Sequence, residues 1–365
     1  MNNKKNIGVL TWHYYSNFGS ALQAYALQHT IEMLGHNVTF VNWHNPKFGK
    51  VSRIKDSIRL MLGNTIGRIP LSVTDRFRYA TICFSHKYHH LGKITTDEKL
   101  LPKLTKDFDI LVCGSDQIWA PNVFNPVYFA AFADNHIRKV SYAASIGLNA
   151  IPEDLIPKYK ELLQYFHTIG IREEEGKNLL KQTCGIDSTV VLDPTLLVDV
   201  SVYKKMQRKV LGIHKPFLFC YFLNKEHQYK DNVERYAREH NLQIVGVSDK
   251  ASDGEWMTRL TGLGADHFLW LINNAETIMT DSYHGSIFSL LFHKNLWIFQ
   301  RFVESDPICQ NSRIRQLRNN FNLGQRIITA NSQIDDSKAI DYNYFESRLK
   351  ELRTSSLDFL KKALE

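Results

Sequence analysis

A histidine stands between a predicted strand and a predicted helix in the last third of the chain. Residues 277–281 (TIMTD) are suited to a strand, and the sequence from Gly285 onward has the apolar spacing of a helix. His284 therefore lies at or just before a helix N-terminus, where the helix dipole favours anions. A lone histidine is more often structural than catalytic, but Gly285 beside it lets a ligand approach the backbone closely. This position makes His284 a candidate functional residue.

The loop after the first predicted strand (7–12) is rich in polar and small residues. It ends in Asn17-Phe18-Gly19-Ser20, which leads into a predicted helix. Gly19 permits a tight turn, and Ser20 can cap the helix. The amides exposed there could hold an anion or sugar hydroxyls. A plain capped turn explains the same residues equally well, and both interpretations stay open.

A third loop follows the predicted strand 108–114. Ser115 and Asp116 supply hydrogen-bonding groups, and Trp119 supplies a flat apolar face. Together they suit a carbohydrate, because sugars present both hydroxyls and apolar faces. The alternative is that Asp116 simply caps a helix.

Arg172 lies at the end of another predicted strand, residues 167–173, and precedes a run of glutamates. A guanidinium there could clamp a phosphate or a carboxylate. An ion pair with a neighbouring glutamate is the equally weighted alternative. The chain has no P-loop, no G-x-G-x-x-G and no H-E-x-x-H motif, and we expect neither a metal nor a cofactor.

The elements that position these loops alternate between strands and helices, which predicts parallel sheets. We expect an α/β fold with two Rossmann-like domains facing a cleft. Residues 1–200 form the N-terminal domain, with a basic, mostly helical excursion at about 47–105, and residues 215–335 form the C-terminal domain. The tail 340–365 is predicted as a helix that packs back on the N-terminal domain. The cleft between the carboxyl ends of the two sheets is the expected ligand site.

Composition restricts the partners. The chain has 365 residues with a formal net charge of +8, which favours phosphorylated metabolites or an acidic membrane surface. No nucleic-acid-binding motif accompanies the basic residues. The run 7–12 is short and lacks a small-residue cleavage site, so it is predicted as a strand instead of a signal peptide. The five cysteines form no C-x-x-C and indicate buried thiols in a reducing cytoplasm.

Seven motifs follow one another in a recognisable order. They are NFGSALQAYAL, VCGSDQIW, SYAASIG, IREEEG, VVLDPTLL, TDSYHGSIFSLLF and NSRIRQL. In this order the chain resembles the polysaccharide pyruvyl transferase family over roughly residues 7 to 326. The resemblance implies a GT-B-like arrangement, with an acceptor-side N-terminal domain and a donor-side C-terminal domain. It also implies transfer of pyruvate from phosphoenolpyruvate, as co-substrate, onto a sugar as a cyclic ketal with release of phosphate.

The acceptors that the resemblance implies are sugars of cell-surface polysaccharides, often carried on lipids. We therefore expect a cytoplasmic protein whose positive charge suits peripheral contact with the inner face of the membrane. Nothing in the sequence specifies an oligomeric state or indicates a nucleic-acid partner.

The chain departs from the family at one position. Family members tend to carry an arginine two residues before the histidine, and this chain has Ser282 there. The donor must then be held by other cations, for which Arg172, Arg301 and Arg313 are candidates, together with the amides of Gly285 and Ser286.

The implied chemistry needs a general acid, which we assign to His284, and an acceptor-side base or orienting group, which we assign to Asp116. Asn17, Gly19, Ser20 and Ser115 are expected nearby. A helix N-terminus disfavours a charged imidazole whereas a bound trianion favours it, so His284 should take up a proton with the donor. Two alternatives remain: a GT-B-type nucleotide-sugar glycosyltransferase, and a non-catalytic relative that binds glycan or phosphate.

Overall fold

A computed structural model gives the structure of the protein. It describes residues 4–14, 17–46, 73–213, 215–223, 229–247, 256–303, 306, 309–329, 332 and 334–365. The chain forms two α/β units in succession, each built on a six-stranded parallel sheet.

The first sheet has the strand order β2-β1-β3-β4-β5-β6. Its strands are β1 (Asn6–Leu10), β2 (Asn37–Phe40), β3 (Ile110–Cys113), β4 (Arg138–Ala144), β5 (Phe166–Ile171) and β6 (Thr189–Val190). All four residues of β3 are buried, as expected for a central strand covered by helices on both faces.

The second sheet has the order β12-β11-β10-β7-β8-β9. Its strands are β7 (Phe217–Tyr221), β8 (Gln243–Val247), β9 (Thr258–Leu260), β10 (Thr277–Thr280), β11 (Asn295–Phe299) and β12 (Ile327–Ile328). The central strand β10 pairs with β7 and β11 in parallel, so the loop after β10 lies at the middle of the carboxyl edge of this sheet.

Helices surround both sheets. They are α1 (Phe18–Met33), α2 (Val73–Tyr88), α3 (Leu101–Thr105), α4 (Ile156–Leu163), α5 (Glu174–Leu179), α6 (Val200–Met206), α7 (Lys230–Glu239), α8 (Ala265–Asn274), α9 (Tyr283–Leu291), α10 (Ser312–Phe321) and α11 (Tyr342–Leu364). Of the expected basic excursion, residues 47–72 lie outside the described residues, and α2 and α3 lie in the remainder. In the described part of the chain, no helix is both long and apolar enough to cross a bilayer.

The start of α1 joins the two units through aromatic packing. The Phe18 ring stacks on Phe268 of α8 at a centroid distance of 4.8 Å and lies 5.6 Å from Tyr221 of β7. All three side chains are buried and belong to one apolar cluster that includes residues of both sheets. The N-terminus of α1 is therefore fixed against the second unit.

The C-terminal helix α11 begins against the second unit and ends on the first. Tyr342 donates a hydrogen bond to the carbonyl of Lys294, ahead of β11. Further along, Ser356 Oγ accepts from the amide of Leu192 at 3.0 Å, and Arg353 donates to the carbonyl of Leu196 at 2.8 Å. The helix thus contacts both units.

Two predicted boundaries are wrong for one physical reason, side-chain capping. Residues 188–197 (STVVLDPTLL) have the apolar sequence of a strand that ends at a proline, which predicts a strand there. Only Thr189–Val190 are paired, because Asp193 caps a 3-10 turn that begins at Pro194. The helix predicted from Gly285 starts two residues earlier at Tyr283, because the side chain of Ser282 caps it.

Candidate active site

A cavity of about 320 Å³ lies between the carboxyl ends of the two sheets. Seven of the predicted site residues line it: Asn17, Ser20, Asp116, Ser282, His284, Arg301 and Arg313. The other five, Gly19, Ser115, Arg172, Gly285 and Ser286, lie outside this lining. Both units contribute walls, so a ligand in the cavity would contact both.

His284 is the second residue of α9, and its imidazole is enclosed by the first unit. Its Nε2 lies 3.4 Å from Asp193 Oδ2, and only 8% of its side chain is exposed. The ring also lies directly over Gly19, where a Cβ atom would come within 2.2 Å of His284 Nδ1. Gly19 lies inside α1, which Asn17 caps, so the predicted turn at Gly19 and the predicted cap at Ser20 are wrong. Gly19 is instead required for close approach between α1 and the histidine.

Asp193 is a site residue that the sequence reasoning missed. Its Oδ2 accepts a hydrogen bond from Arg172 Nη1 at 2.9 Å, and its Oδ1 accepts from the amide and hydroxyl of Thr195 at 3.0 and 2.7 Å. Burial alone would raise the pKa of Asp193, but the neighbouring His284, Arg172 and Thr195 hold it well below its ordinary value. The motif VVLDPTLL could have indicated Asp193, because its carboxylate follows a predicted strand as the other candidate site residues do.

Arg172 is buried and forms an ion pair, as the alternative interpretation expected. Its closer partner is Asp193, and the adjacent Glu173 is a second, more distant one, with Oε2 3.9 Å from Arg172 Nε. Glu173 Oε1 instead accepts hydrogen bonds from Ser145 Oγ and from the amides of Ile146 and Gly147, all within 3.0 Å. Arg172 lines a separate cavity of about 50 Å³ behind the main one.

Arg301 and Arg313 face the main cavity and share one acceptor. Gln310 Oε1 lies 3.4 Å from Arg301 Nη2, 3.1 Å from Arg313 Nη2 and 3.2 Å from Nε2 of Gln117 on the first unit. Neither guanidinium has a carboxylate ion-pair partner among the described residues. Burial and the charges of Arg172 and Arg301 lower the pKa of Arg313 to about 10, and burial also lowers that of Arg301. Asp116 and Asp281 also line the cavity, and Asp281 offsets part of the charge of Arg301. Two buried guanidiniums side by side are nevertheless suited to an anionic ligand.

Asp116 lies across the cavity from these arginines, on the turn after β3. Its Oδ2 accepts from Ser20 Oγ at 2.6 Å, and its Oδ1 accepts from the amide of Gln117 at 2.8 Å. Its φ of 73° is in the left-handed region, which is uncommon for residues other than glycine. No helix follows it in the described turn, so Asp116 is not a helix cap.

The expected role of Trp119 as a flat face for a sugar is wrong. Its ring is completely buried, stacks on Phe129 and donates a hydrogen bond to the carbonyl of Tyr128 at 3.0 Å. The indole that lines the cavity belongs to Trp12, which follows β1.

Polar groups in the first turn of α9 form hydrogen bonds with one another. Ser282 Oγ accepts from the amide of Gly285 at 3.2 Å, and the carbonyl of Ser282 accepts from both the amide and the hydroxyl of Ser286. The amides of Gly285 and Ser286 are therefore already bonded within the helix. Ser115 is also enclosed, with Oγ 3.4 Å from Asp193 Oδ2. Among the described residues, no group of three or more His, Cys, Asp or Glu side chains could hold a metal ion.

Comparisons with known proteins agree with this architecture. The model of the family "Polysaccharide pyruvyl transferase" matches residues 17–299, whereas a comparison with curated protein sequences found no match. The fold is similar to that of a protein from Listeria monocytogenes described as a UDP-N-acetylglucosamine 2-epimerase, with 10% identity and a TM-score of 0.52 over 99% of this chain and 90% of that chain. It is also similar to a glycosyltransferase from Rickettsia africae, with 10% identity and a TM-score of 0.51 over 99% and 93%.

These likenesses establish the GT-B-like arrangement that was predicted, two Rossmann-like domains facing a cleft. The family match covers most of the chain and includes the loops that carry Asp116, Asp193 and His284. The chain therefore belongs to the polysaccharide pyruvyl transferase family, a family of enzymes.

Proposed function

We propose that this protein transfers the enolpyruvyl group of phosphoenolpyruvate onto a sugar of a surface-polysaccharide precursor, forming a cyclic ketal and releasing phosphate. One observation carries the proposal. A histidine and two guanidinium groups without carboxylate partners in the described chain share one cavity, and a carboxylate lies across it. Acid, anion clamp and acceptor-side base are the three groups that this chemistry needs.

The donor side of the proposed site is the pair Arg301 and Arg313. Phosphoenolpyruvate carries close to three negative charges, which buried guanidiniums can hold through charge-assisted hydrogen bonds. Gln310 Oε1 now receives hydrogen bonds from both arginines and has the position that a phosphate or carboxylate oxygen would take. These side chains would replace the arginine that this chain lacks at Ser282.

The amides at the start of α9 add to the donor side. Those of Tyr283 and His284 have no acceptor among the described residues, whereas Ser282 caps the next one. An anion at this end of the helix would be favoured by the helix dipole.

The acceptor side is the wall from the first domain. Asp116 accepts from Ser20 and faces the cavity, where it would orient a sugar hydroxyl and take its proton. Trp12 supplies an aromatic wall on the same side, suited to the apolar face of a sugar ring. A lipid-linked acceptor at the inner face of the membrane would fit the net charge of +8.

The proposed reaction balances without a further reagent. One sugar hydroxyl adds to the central carbon of the enolpyruvyl group, and the methylene carbon takes a proton from His284. The carbon–oxygen bond to phosphate then breaks and phosphate leaves towards the arginines, while a second hydroxyl of the same sugar closes the ketal. The two hydroxyl protons are transferred to Asp116, to phosphate or back to His284. A general acid contributes about 10²–10⁴-fold to such a step.

The direct test is phosphate release from phosphoenolpyruvate with a panel of glycosides that carry free diols and with lipid-linked sugar precursors. We expect acceptor-dependent release by the wild type and a loss of about 10²-fold or more in His284→Ala. The exposed His167 provides the control, because His167→Ala removes an imidazole far from the cavity lining. Near-normal turnover by His284→Ala would remove the histidine from the mechanism. Turnover of a nucleotide sugar instead would favour a glycosyltransferase.

A further inference from the structure

The two ring nitrogens of His284 have different surroundings. Nε2 is fully buried and has Asp193 Oδ2 at 3.4 Å, with no well-aligned hydrogen bond in the described structure. Nδ1 is on the side of Gly19 and has no hydrogen-bond partner among the described residues, yet it is not one of the buried atoms without a partner. It is therefore at least partly exposed, in a residue that lines the cavity. The nitrogen that can reach a ligand is therefore Nδ1.

The Asp193 carboxylate is fixed before any ligand binds. Arg172 Nη1 holds Oδ2, and the amide and hydroxyl of Thr195 hold Oδ1, so the group has no freedom to turn away. Its side chain is completely buried. An ionised carboxylate only accepts hydrogen bonds, so the imidazole nitrogen facing it must carry a proton.

The separation of 3.4 Å is long for a hydrogen bond, and its alignment is poor. Catalytic hydrogen bonds are often long in ligand-free enzymes and tighten when the substrate binds. Asp193 follows the last strand of the first sheet, whereas His284 follows the central strand of the second. A small closing movement of the two domains would shorten this contact.

We propose that Asp193 is the positioning residue of His284: it holds the proton on Nε2 across the domain boundary, so that Nδ1 is the nitrogen that exchanges a proton with the ligand. The part that concerns proton exchange rests on the function proposed above. The part that concerns the tautomer does not. When the donor binds, the protonated ring is stabilised by Asp193 on one side and can give up its Nδ1 proton on the other.

The first experiment is ¹⁵N NMR of histidine-labelled wild-type protein without any substrate, with His284→Gln used to assign the signal. The chemical shifts of the two nitrogens distinguish the tautomers. We expect neutral His284 to carry its proton on Nε2. A neutral ring protonated on Nδ1 would overturn the proposal, and this readout needs no change at Asp193.

The second experiment compares Asp193→Asn with Asp199→Asn. Each carboxylate accepts a hydrogen bond from the amide two residues later in the chain. Asp199 differs in being exposed, and it caps α6, away from the histidine. We expect Asp193→Asn to weaken the preference for the Nε2 proton and to lower kcat by about 10²-fold or more, with donor KM changed less than about threefold. Asp199→Asn should change neither.

The outcomes separate the two claims. An unchanged tautomer and an unchanged kcat in a folded Asp193→Asn would overturn the positioning role, even if pyruvyl transfer is confirmed. The expected tautomer in a wild type that releases no phosphate with any acceptor would overturn the proposed function and leave the positioning role standing. If Asp193→Asn does not fold, the wild-type tautomer decides.

Discussion

Asp193 Oδ2 and His284 Nε2 lie 3.4 Å apart, although the two residues belong to different domains. The contact is enclosed by Gly19 on one side and by the ion pair of Arg172 with Asp193 on the other. The proposed acid is therefore oriented by the opposite domain rather than by its own helix.

Gly19→Ala should disable the site without unfolding α1. The added methyl group would lie 2.2 Å from His284 Nδ1, so the imidazole must move away from Asp193 or the domains must separate. Alanine favours a helix more than glycine does, so α1 itself should not be weakened. We expect kcat to fall by about 10²-fold, as for the loss of a general acid, with a melting temperature close to that of the wild type.

Gly324→Ala is the control, because an added Cβ there meets only Arg318 Nε at 3.6 Å. Full activity in Gly19→Ala would contradict the described position of the ring.

Gln310→Glu should compete with the donor. The new carboxylate would stand where Gln310 Oε1 now receives hydrogen bonds from Arg301 and Arg313, and it would neutralise part of their charge. We expect a higher melting temperature without ligand and a donor KM raised at least about tenfold, because charge-assisted pairs are the stronger ones. Gln325→Glu makes the same charge change at an exposed position. A donor KM equal to that of this control would place the anion elsewhere.

Asp116→Asn should separate acceptor chemistry from donor binding. Asparagine keeps an acceptor for the amide of Gln117 but loses the charge that would take a proton from a sugar hydroxyl. We expect kcat to fall by about 10²-fold while phosphoenolpyruvate still binds. Ser20→Ala, which removes only the hydrogen bond to Oδ2, should reduce kcat less. Retained turnover in Asp116→Asn with an unchanged acceptor KM would exclude Asp116 from the site.

Acid should destabilise the first domain through His89. Burial, reinforced by the nearby His13, lowers the pKa of His89 to about 3, and burial likewise lowers the pKa of His13. The unfolded chain takes up protons on these rings below about pH 6.5, whereas the folded chain does not. Stability is therefore fully present above that pH and is lost as the pH falls towards the folded value.

The check is the melting temperature of wild type and His89→Gln between pH 7.5 and pH 4.5, a range of about 3 pH units around the ordinary pKa of histidine. The variant cannot titrate at this position, so its decline with acid should be shallower. His167→Gln removes an exposed histidine and should follow the wild type. Parallel curves for wild type and His89→Gln would show that His89 does not contribute.

The shared location of His284 and Asp116 at one cavity could be predicted from the sequence. Both residues follow strands, and parallel strands bring their carboxyl ends to one edge of each sheet. The two-domain α/β architecture follows from the same alternation of strands and helices. The role of Ser282 as the cap of α9 was not predicted, because the helix was expected to begin only at Gly285.

The sequence did not indicate the partner of His284 or the correct tryptophan. Asp193 is 91 positions from His284 in the chain, and only the packing of one domain on the other brings them together. Trp119 and Trp12 both follow strands, but the turn segments over residues 121–129 pack on Trp119 and bury it. Local patterns predict the loop that a residue occupies, whereas side-chain exposure depends on contacts from distant parts of the chain.

Calorimetry of phosphoenolpyruvate binding decides whether this protein uses phosphoenolpyruvate as its donor. The affinity is measured for the wild type, for Arg301→Ala and for Arg313→Ala, and UDP-N-acetylglucosamine is titrated in parallel. We expect phosphoenolpyruvate to bind the wild type, and each variant to bind it at least about tenfold more weakly because a charge-assisted contact is lost. We expect no binding of the nucleotide sugar. Binding of the nucleotide sugar without binding of phosphoenolpyruvate, or equal binding of phosphoenolpyruvate by wild type and both variants, would contradict the proposed donor site.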